Sequence, residues 1–274
     1  DSFDNPRYQA IYDAAIEKTD LVSRWGVSTP CYRSATSEAP IETFTRQSPH
    51  QGFETVITVI HTPEGDISSS FQKSLEGKPG YHSQHMIADE EDARRFLSIP
   101  YERPEISLES FRTRDAIVGE RGITIAGIPE AMYTINDLMG SETFALWSVM
   151  KRDLLHDLIS EMDRRITDIV RGMLEAGIGP FFGYVGPELC IPPLQSPKDF
   201  HEFCVDYEKP LIRMIHEAGG YVWIHCHNGM RQVIDGFLEM GTDVLNPIEP
   251  PPMGDATMAE VRSVVGDRMA LEGN

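Results

Sequence analysis

The chain has 274 residues, of which 41% are hydrophobic and 24% are charged, a composition typical of globular proteins. Its 43 acidic residues outnumber the 24 basic ones, and the net charge of −19 disfavours binding to nucleic acid and to anionic membranes. No apolar run approaches the roughly 20 residues that a membrane-spanning helix needs.

The first part of the chain predicts β-structure that decorates a larger α/β domain. Residues 55–60 have the pattern of a hairpin arm, residues 63–66 carry the turn signal Pro-Glu-Gly-Asp, and residues 122–126 predict a further strand. No linker rich in Gly, Ser or Pro separates these segments from the rest of the chain. We therefore predict a single domain over residues 1–274, with an N-terminal decoration over about 1–115.

The middle of the chain predicts long helices around one buried strand. Residues 141–176 predict two helices, the second of which ends at Gly177, and residues 181–185 are apolar enough for a buried strand. Ser196 precedes a proline and begins a long helix, in which Pro210 should cause a kink or a break.

The last part of the chain alternates between predicted strands and helices. Each helix ends at a glycine, and this alternation predicts consecutive right-handed βα units whose strands are adjacent and parallel. The predicted strands cover residues 221–224, 243–246 and 268–271, and the stop glycines are Gly219, Gly241 and Gly266.

The strongest candidate for a functional site is the run His225-Cys226-His227, which comes directly after the buried strand 221–224. Side chains two residues apart on a strand point to the same side, so the two imidazoles should converge while Cys226 faces away. Converging imidazoles at a strand end are natural ligands for zinc. The alternative is that one histidine caps a helix and the other packs.

Carboxylates in the strand-end loops extend this candidate site. Glu249 follows the strand 243–246 in a proline-rich loop, where it would complete a His/His/Glu set with an open fourth position, as in catalytic zinc sites. The alternative is a solvated carboxylate in a stiff loop, and Cys190 has burial as its simpler interpretation. Further candidates in these loops are Glu130, Glu188, Cys190 and Asp255.

The cysteines and the missing motifs narrow the function classes further. The four cysteines are too scattered for a disulfide framework or a zinc knuckle, so we expect free thiols and a cytoplasmic location. No charged-then-apolar leader is present, and no glycine-rich nucleotide loop or GxSxG motif supports nucleotide binding or serine hydrolysis. The cysteines are Cys31, Cys190, Cys204 and Cys226.

Residues 181–274 resemble the C-terminal part of the uroporphyrinogen decarboxylase superfamily, which includes cobalamin-dependent methyltransferases. The landmarks are a Pro-Pro loop, Ser-Pro at a helix start, His-Cys-His-Asn after a strand, "EMGTDVLNPIEP", "MGD" and "LEGN". Residues 61–72, "HTPEGDISSSFQ", are similar to the hairpin of methyltransferase-like members. The resemblance implies an α/β fold, a (β/α)8 barrel of the TIM type, and we expect its last βα unit to be missing from this chain.

The departures from the superfamily pattern favour the methyltransferase branch. Nothing matches the arginine-rich "RQAGRY" signature of the decarboxylases. In the zinc methyltransferases the metal motif is His-x-Cys with a distant cysteine, which here would lie beyond Asn274. His225 matches the histidine, His227 replaces the cysteine, and Glu249 lies where an acidic residue of the family would fall.

The resemblance implies a zinc-dependent methyltransferase that moves a methyl group between a small methylated compound and a corrinoid on a partner protein. We expect His225, His227 and Glu249 as zinc ligands and Glu188 and Asp255 as catalytic carboxylates, with demethylation of a methoxylated compound as the favoured direction. The alternatives are a metal-free decarboxylase and a non-catalytic protein that binds a corrinoid or small ligand. The oligomeric state stays open, with a homodimer as one option.

Overall fold

The computed structural model describes residues 6–27 and 39–273, and these residues include ten strands and ten α-helices. The strands are β1 Leu21–Gly26, β2 Ile41–Gln47, β3 Phe53–Thr62, β4 Gly65–Ser74, β5 Tyr81–Gln84, β6 Gly122–Gly127, β7 Phe181–Val185, β8 Tyr221–His225, β9 Val244–Ile248 and β10 Ala270–Gly273. The helices are α1 Gln9–Lys18, α2 Glu90–Leu97, α3 Leu108–Val118, α4 Ala131–Met139, α5 Ser141–Met150, α6 Arg152–Glu175, α7 Pro197–Phe200, α8 Asp206–Glu217, α9 Ile234–Met240 and α10 Met258–Val265.

Six of the strands form one parallel sheet in the order β1-β6-β7-β8-β9-β10. The predicted adjacency of the last three strands is confirmed, because β8, β9 and β10 are neighbours and parallel. The strand expected over 268–271 begins at Ala270 instead, since the Arg268 N–H is used by a turn that ends on the Val265 carbonyl.

The parallel sheet curves strongly, but the described residues do not close it into a barrel. The Arg24 guanidinium in β1 lies 4.7 Å from the centre of the Trp223 ring in β8, although two strands separate β1 from β8 in the sheet. Within residues 6–27 and 39–273, β1 and β10 each have a single sheet neighbour. An α/β fold with a parallel sheet is therefore confirmed, the expected closure into a (β/α)8 barrel is not observed, and the missing last unit stays a prediction.

The other four strands form a separate antiparallel sheet in the order β2-β3-β4-β5. The predicted hairpin is confirmed, with β3 and β4 pairing from Phe53 opposite Ser74 to Thr62 opposite Gly65. This sheet lies within residues 1–115, the range predicted for the N-terminal decoration. Strand β1 lies in the same range, but it pairs with β6 and so belongs to the parallel sheet. The sheet packs on α2 through β4.

The helices cover one face of the parallel sheet and leave the other face to the candidate site. In β8, Val222 and Ile224 are fully buried toward the helices, while Trp223 and His225 alternate with them on the inner face. The two helices predicted over 141–176 are confirmed as α5 and α6. Among the described residues, no helix combines the length and the apolar character that crossing a membrane requires.

The helix predicted from Ser196 forms, but Pro210 does not break it. Ser196 and Asp199 make a reciprocal capping box, and α7, a π-helical segment at His201–Val205 and α8 follow each other without a gap. Proline removes one N–H and presses on the carbonyl four residues earlier. The irregularity therefore lies one turn upstream of Pro210, in the wider π-helical turn.

The buried side chains on the helix-covered face of β8 should contribute more to the free energy of unfolding than the exposed side chains of the same strand. We expect Ile224→Ala to lower the free energy of unfolding by about 2–5 kcal/mol, because Ile224 is 0% exposed and its loss leaves a cavity. Tyr221→Ala on the same strand is the control and should cost about 1 kcal/mol, because Tyr221 is 52% exposed. Denaturant unfolding of both variants measures the difference, and equal losses would contradict this assignment of the faces.

Candidate functional site

The ends of two neighbouring parallel strands bring the candidate residues together. His225 ends β8 and is paired in register with Asn246 of β9, and the Cys226 N–H donates to the Asn246 carbonyl at 2.7 Å. His227 lies two residues after His225, and Glu249 lies three residues after Asn246. The carboxyl ends of parallel strands are the usual location of active sites in such folds.

The rings of His225 and His227 meet on one side of the strand. Their Nε2 atoms are 2.9 Å apart, and the ring planes are inclined by 87° with centroids 4.5 Å apart. This is the convergence that the two-residue spacing predicts. Cys226 faces the opposite way and is fully buried, and burial raises the pKa of its thiol well above the usual range. Cys226 is therefore a packing residue and not a thiolate.

The Nδ1 atom of each ring contacts an oxygen acceptor, which holds the ring in place. His225 Nδ1 lies 2.6 Å from the Asn246 amide oxygen, and His227 Nδ1 lies 2.9 Å from Oε2 of Glu249. With both Nδ1–H groups donating, each neutral ring presents an Nε2 lone pair to the other ring. Two lone pairs at this separation repel, so the contact is favourable only with a proton or a metal cation between the rings.

The pair fits part of a zinc site. Zinc holds imidazole nitrogens at about 2.0–2.1 Å in a tetrahedron, so that two such ligands lie roughly 3.3 Å apart. The observed Nε2–Nε2 distance of 2.9 Å is close to this value. Among the residues that the structure describes, no three His, Cys, Asp or Glu side chains converge as a metal-binding group. In this arrangement the described residues therefore offer two ligands.

Glu249 lies behind the His227 ring and not beside the two Nε2 atoms. Its side chain is only 3% exposed, and the loop after β9 wraps tightly around it. A Cβ at Gly254 would collide with the carbonyl oxygen of Glu249, so glycine is required for this close turn. A carboxylate on the far nitrogen of a histidine fixes the tautomer and the orientation of the ring.

Asp255 connects the loop that follows β8 to the loop that follows β9. Its Oδ1 accepts from the Arg231 N–H at 3.0 Å, and its carbonyl accepts from the Arg231 guanidinium at 2.7 Å. Asn228 takes a left-handed backbone conformation with φ of 75° at the start of this loop. Asp255 thus holds the loop that carries His227.

Glu188 and Cys190 lie in the loop after β7, a strand that pairs with β8 as far as Val185 opposite His225. Glu188 Oε2 accepts from the Gly186 N–H at 3.1 Å, and its charge helps to raise the pKa of Cys226. Cys190 is fully buried, which agrees with the simpler interpretation of this residue. Glu130, the remaining loop carboxylate, is buried at the start of α4, where its oxygens accept from the Met132 and Tyr133 N–H groups.

Two residues of the site were not singled out from the sequence. The sequence pattern predicts only a strand position for Asn246. A polar residue inside the apolar run of β9 is the feature that could have identified it as a site residue. Trp223 stacks on His225 with centroids 5.6 Å apart, and its indole N–H donates to Glu272 at 2.9 Å. Its signal was the spacing of two residues before His225, which places both rings on the inner face.

Comparison with known proteins places this site in a family context. The family model described as uroporphyrinogen decarboxylase (URO-D) matches residues 105–274. A curated relative, methylcobamide:CoM methyltransferase MtaA from Methanosarcina barkeri, is 25% identical over 167 residues, which are 61% of this chain and 47% of the relative. The chain thus spans about half the length of the curated relative that it matches.

A solved structure supports the fold assignment. A methyltransferase from Methanosarcina mazei superposes with a TM-score of 0.52 and 17% identity, covering 71% of this chain and 56% of that chain. At this level of identity the likeness concerns the fold alone. The likeness therefore supports the fold and carries no argument about function.

The contact between Asp255 and Arg231 predicts a local change in loop order. We expect Asp255→Ala to speed hydrogen exchange of the Arg231 amide by roughly five- to tenfold, because an exposed hydrogen bond to a carboxylate contributes about 1 kcal/mol. Asp267→Ala, an exposed residue in the turn after α10, is the control. Unchanged exchange at Arg231 would show that Asp255 does not hold this loop.

Proposed function

Because the chain belongs to the uroporphyrinogen decarboxylase (URO-D) family, in which it resembles a methylcobamide:CoM methyltransferase, we propose that it is a corrinoid-linked methyltransferase. It moves a methyl group between a small methylated compound and a corrinoid on a partner protein. The observation that carries this proposal is the convergence of the Nε2 atoms of His225 and His227. The acidic strand-end loops and the net charge of −19 disfavour a polyanionic tetrapyrrole as substrate.

In this proposal, His225 and His227 bind zinc through Nε2, while Asn246 and Glu249 orient them from the other side. Bound zinc supplies Lewis acidity, which polarises the leaving heteroatom of a methyl donor or lowers the pKa of an acceptor thiol. To become a ligand itself, as the sequence predicts, Glu249 would have to swing around the His227 ring, so we assign it the positioning role.

The ligand types favour the donor side of methyl transfer. Two neutral imidazoles leave a zinc site positively charged, whereas one imidazole with two thiolates leaves it neutral. A positive site activates an ether or amine leaving group better than it softens a thiolate. We therefore propose demethylation of a small methoxylated compound, with Glu188 as the carboxylate that exchanges a proton with the leaving heteroatom and Asp255 as a positioning residue.

The free thiols support a reducing compartment. Cys190, Cys204 and Cys226 are free and buried, while Cys31 lies outside the described residues. Three unpaired cysteines in a folded domain are typical of the cytoplasm, where thiols stay reduced. We propose the cytoplasm as the location of this protein.

Metal binding is the first test of the proposal. We expect the double variant His225→Ala/His227→Ala to lose stoichiometric zinc, and Asn246→Ala to weaken zinc binding by roughly 10- to 100-fold, because it frees the His225 ring. His201→Ala, an exposed histidine on the π-helical segment, should bind zinc like the wild type. Metal analysis and zinc titration measure these values, and equal zinc content in wild type and double variant would refute the site.

The reaction is tested with the intact protein and free cobalamin. We expect zinc-dependent methylation of cob(I)alamin from at least one member of a panel of small methyl ethers and amines, with loss of activity on chelation. The absorbance change of the cobalamin follows the reaction. Carbon dioxide release from uroporphyrinogen that survives chelation would instead establish the decarboxylase alternative, and corrinoid binding without turnover would establish the binding protein.

A further inference from the structure

A second group of titratable side chains lies behind the parallel sheet, in the layer between the sheet and the helices. Glu130 begins α4, Tyr184 is on β7 and Glu208 is on α8, and their exposed fractions are 0%, 3% and 1%. Asp163 of α6 faces the same layer, and the Cys204 thiol of the π-helical segment adjoins it. We refer to Glu130, Asp163, Tyr184 and Glu208 as the carboxyl cluster.

The two fully buried carboxyl groups have very different partners. Glu130 accepts from two backbone N–H groups at the positive end of α4, an arrangement that stabilises a carboxylate. Glu208 lies beside the Tyr184 hydroxyl and the Ala131 N–H, yet neither of its oxygens makes a hydrogen bond of normal geometry. A buried carboxylate without such bonds is strongly disfavoured relative to the neutral acid.

No cation compensates this cluster within the part of the chain that the structure describes. None of the ion pairs there involves Glu130, Asp163 or Glu208, and the nearest arginines of α6 pair with Glu161 and Asp168 instead. The groups that face Glu208 from the surrounding elements are acidic or neutral: Glu130, Asp163, Tyr184 and Cys204. Two ionised carboxylates in this layer would repel each other at low dielectric.

We propose that Glu130 and Glu208 bind one proton between them at neutral pH, that Glu208 holds it, and that its loss at alkaline pH loosens the layer behind the candidate site. Glu208 holds the proton because it lacks the N–H donors that favour the ionised form of Glu130. The π-helical segment and the loop after β7 pack against this layer. This device is independent of the proposed function, since it uses no residue of the histidine pair.

The pKa directions agree with this geometry. Burial raises the pKa of Glu208 well above its usual range and that of Asp163 to about 6, and it also raises the pKa of Glu130, where the Met132 and Tyr133 N–H groups act against it. A carboxyl group whose pKa rises above 4.5 on folding, as that of Glu208 does, stabilises the protein fully below pH 4.5. That contribution is lost as the pH rises through the folded value, so stability should fall between neutral and alkaline pH.

The experiment compares Tm against pH for the wild type, Glu208→Gln and Glu217→Gln. Glutamine keeps the shape of a protonated Glu208 and cannot ionise. Between pH 6 and pH 9 we therefore expect the Tm of Glu208→Gln to fall less than that of the wild type, by on the order of 5 °C. Glu217→Gln on the exposed end of α8 should follow the wild type. Parallel curves for Glu208→Gln and the wild type would overturn the proposal.

Infrared spectroscopy of the wild type tests the proton directly and does not depend on a variant that folds. We expect a carbonyl stretching band of a protonated carboxyl group at pH 7, shifted in deuterated buffer and lost at alkaline pH. In Glu208→Gln, if it folds, this band should be absent. Absence of this band from the wild type at pH 7 would overturn the proposal for the carboxyl cluster. That result would not bear on the methyltransferase proposal, which the cobalamin assay tests separately.

Discussion

The register between β8 and β9 is the constraint on which the candidate site depends. Parallel pairing places His225 opposite Asn246, so that the amide oxygen reaches the imidazole Nδ1 and the next residues of both segments meet above the sheet. A slip of one residue would turn every side chain of β8 to the opposite face. His225 would then enter the helix layer and Val222 and Ile224 would leave it, at a cost of several kcal/mol.

The molecule separates its polar groups by the face of the sheet on which they lie. On the inner face, each histidine has an acceptor at Nδ1, and the Nε2 atoms converge beside the His227 side chain, which is 43% exposed. On the helix-covered face, Glu130 and Glu208 are buried, and no ion pair among residues 6–27 and 39–273 includes either of them. We therefore propose metal binding on the inner face and proton binding in the outer layer.

The family likeness and the local geometry support different parts of the functional conclusion. The family match and the relative indicate the class of protein. The metal site that we propose rests on the histidine pair and on the acceptors that orient its rings. Because Glu249 lies behind the His227 ring, His225 and His227 are the two converging ligands that the described residues offer.

The sequence by itself determined the parallel α/β sheet, the hairpin of β3 and β4, the helices from α5 to α10 and the convergence of His225 with His227. These features follow from local patterns: apolar runs, stop glycines, capping residues and the alternation of side chains along a strand. Only the tertiary structure decided that the described strands stay open, that Glu249 faces Nδ1 of His227, and that Glu208 joins Glu130 in a dry layer. Those contacts join residues far apart in the chain, and their partners depend on sheet curvature and helix packing, which local sequence patterns do not encode.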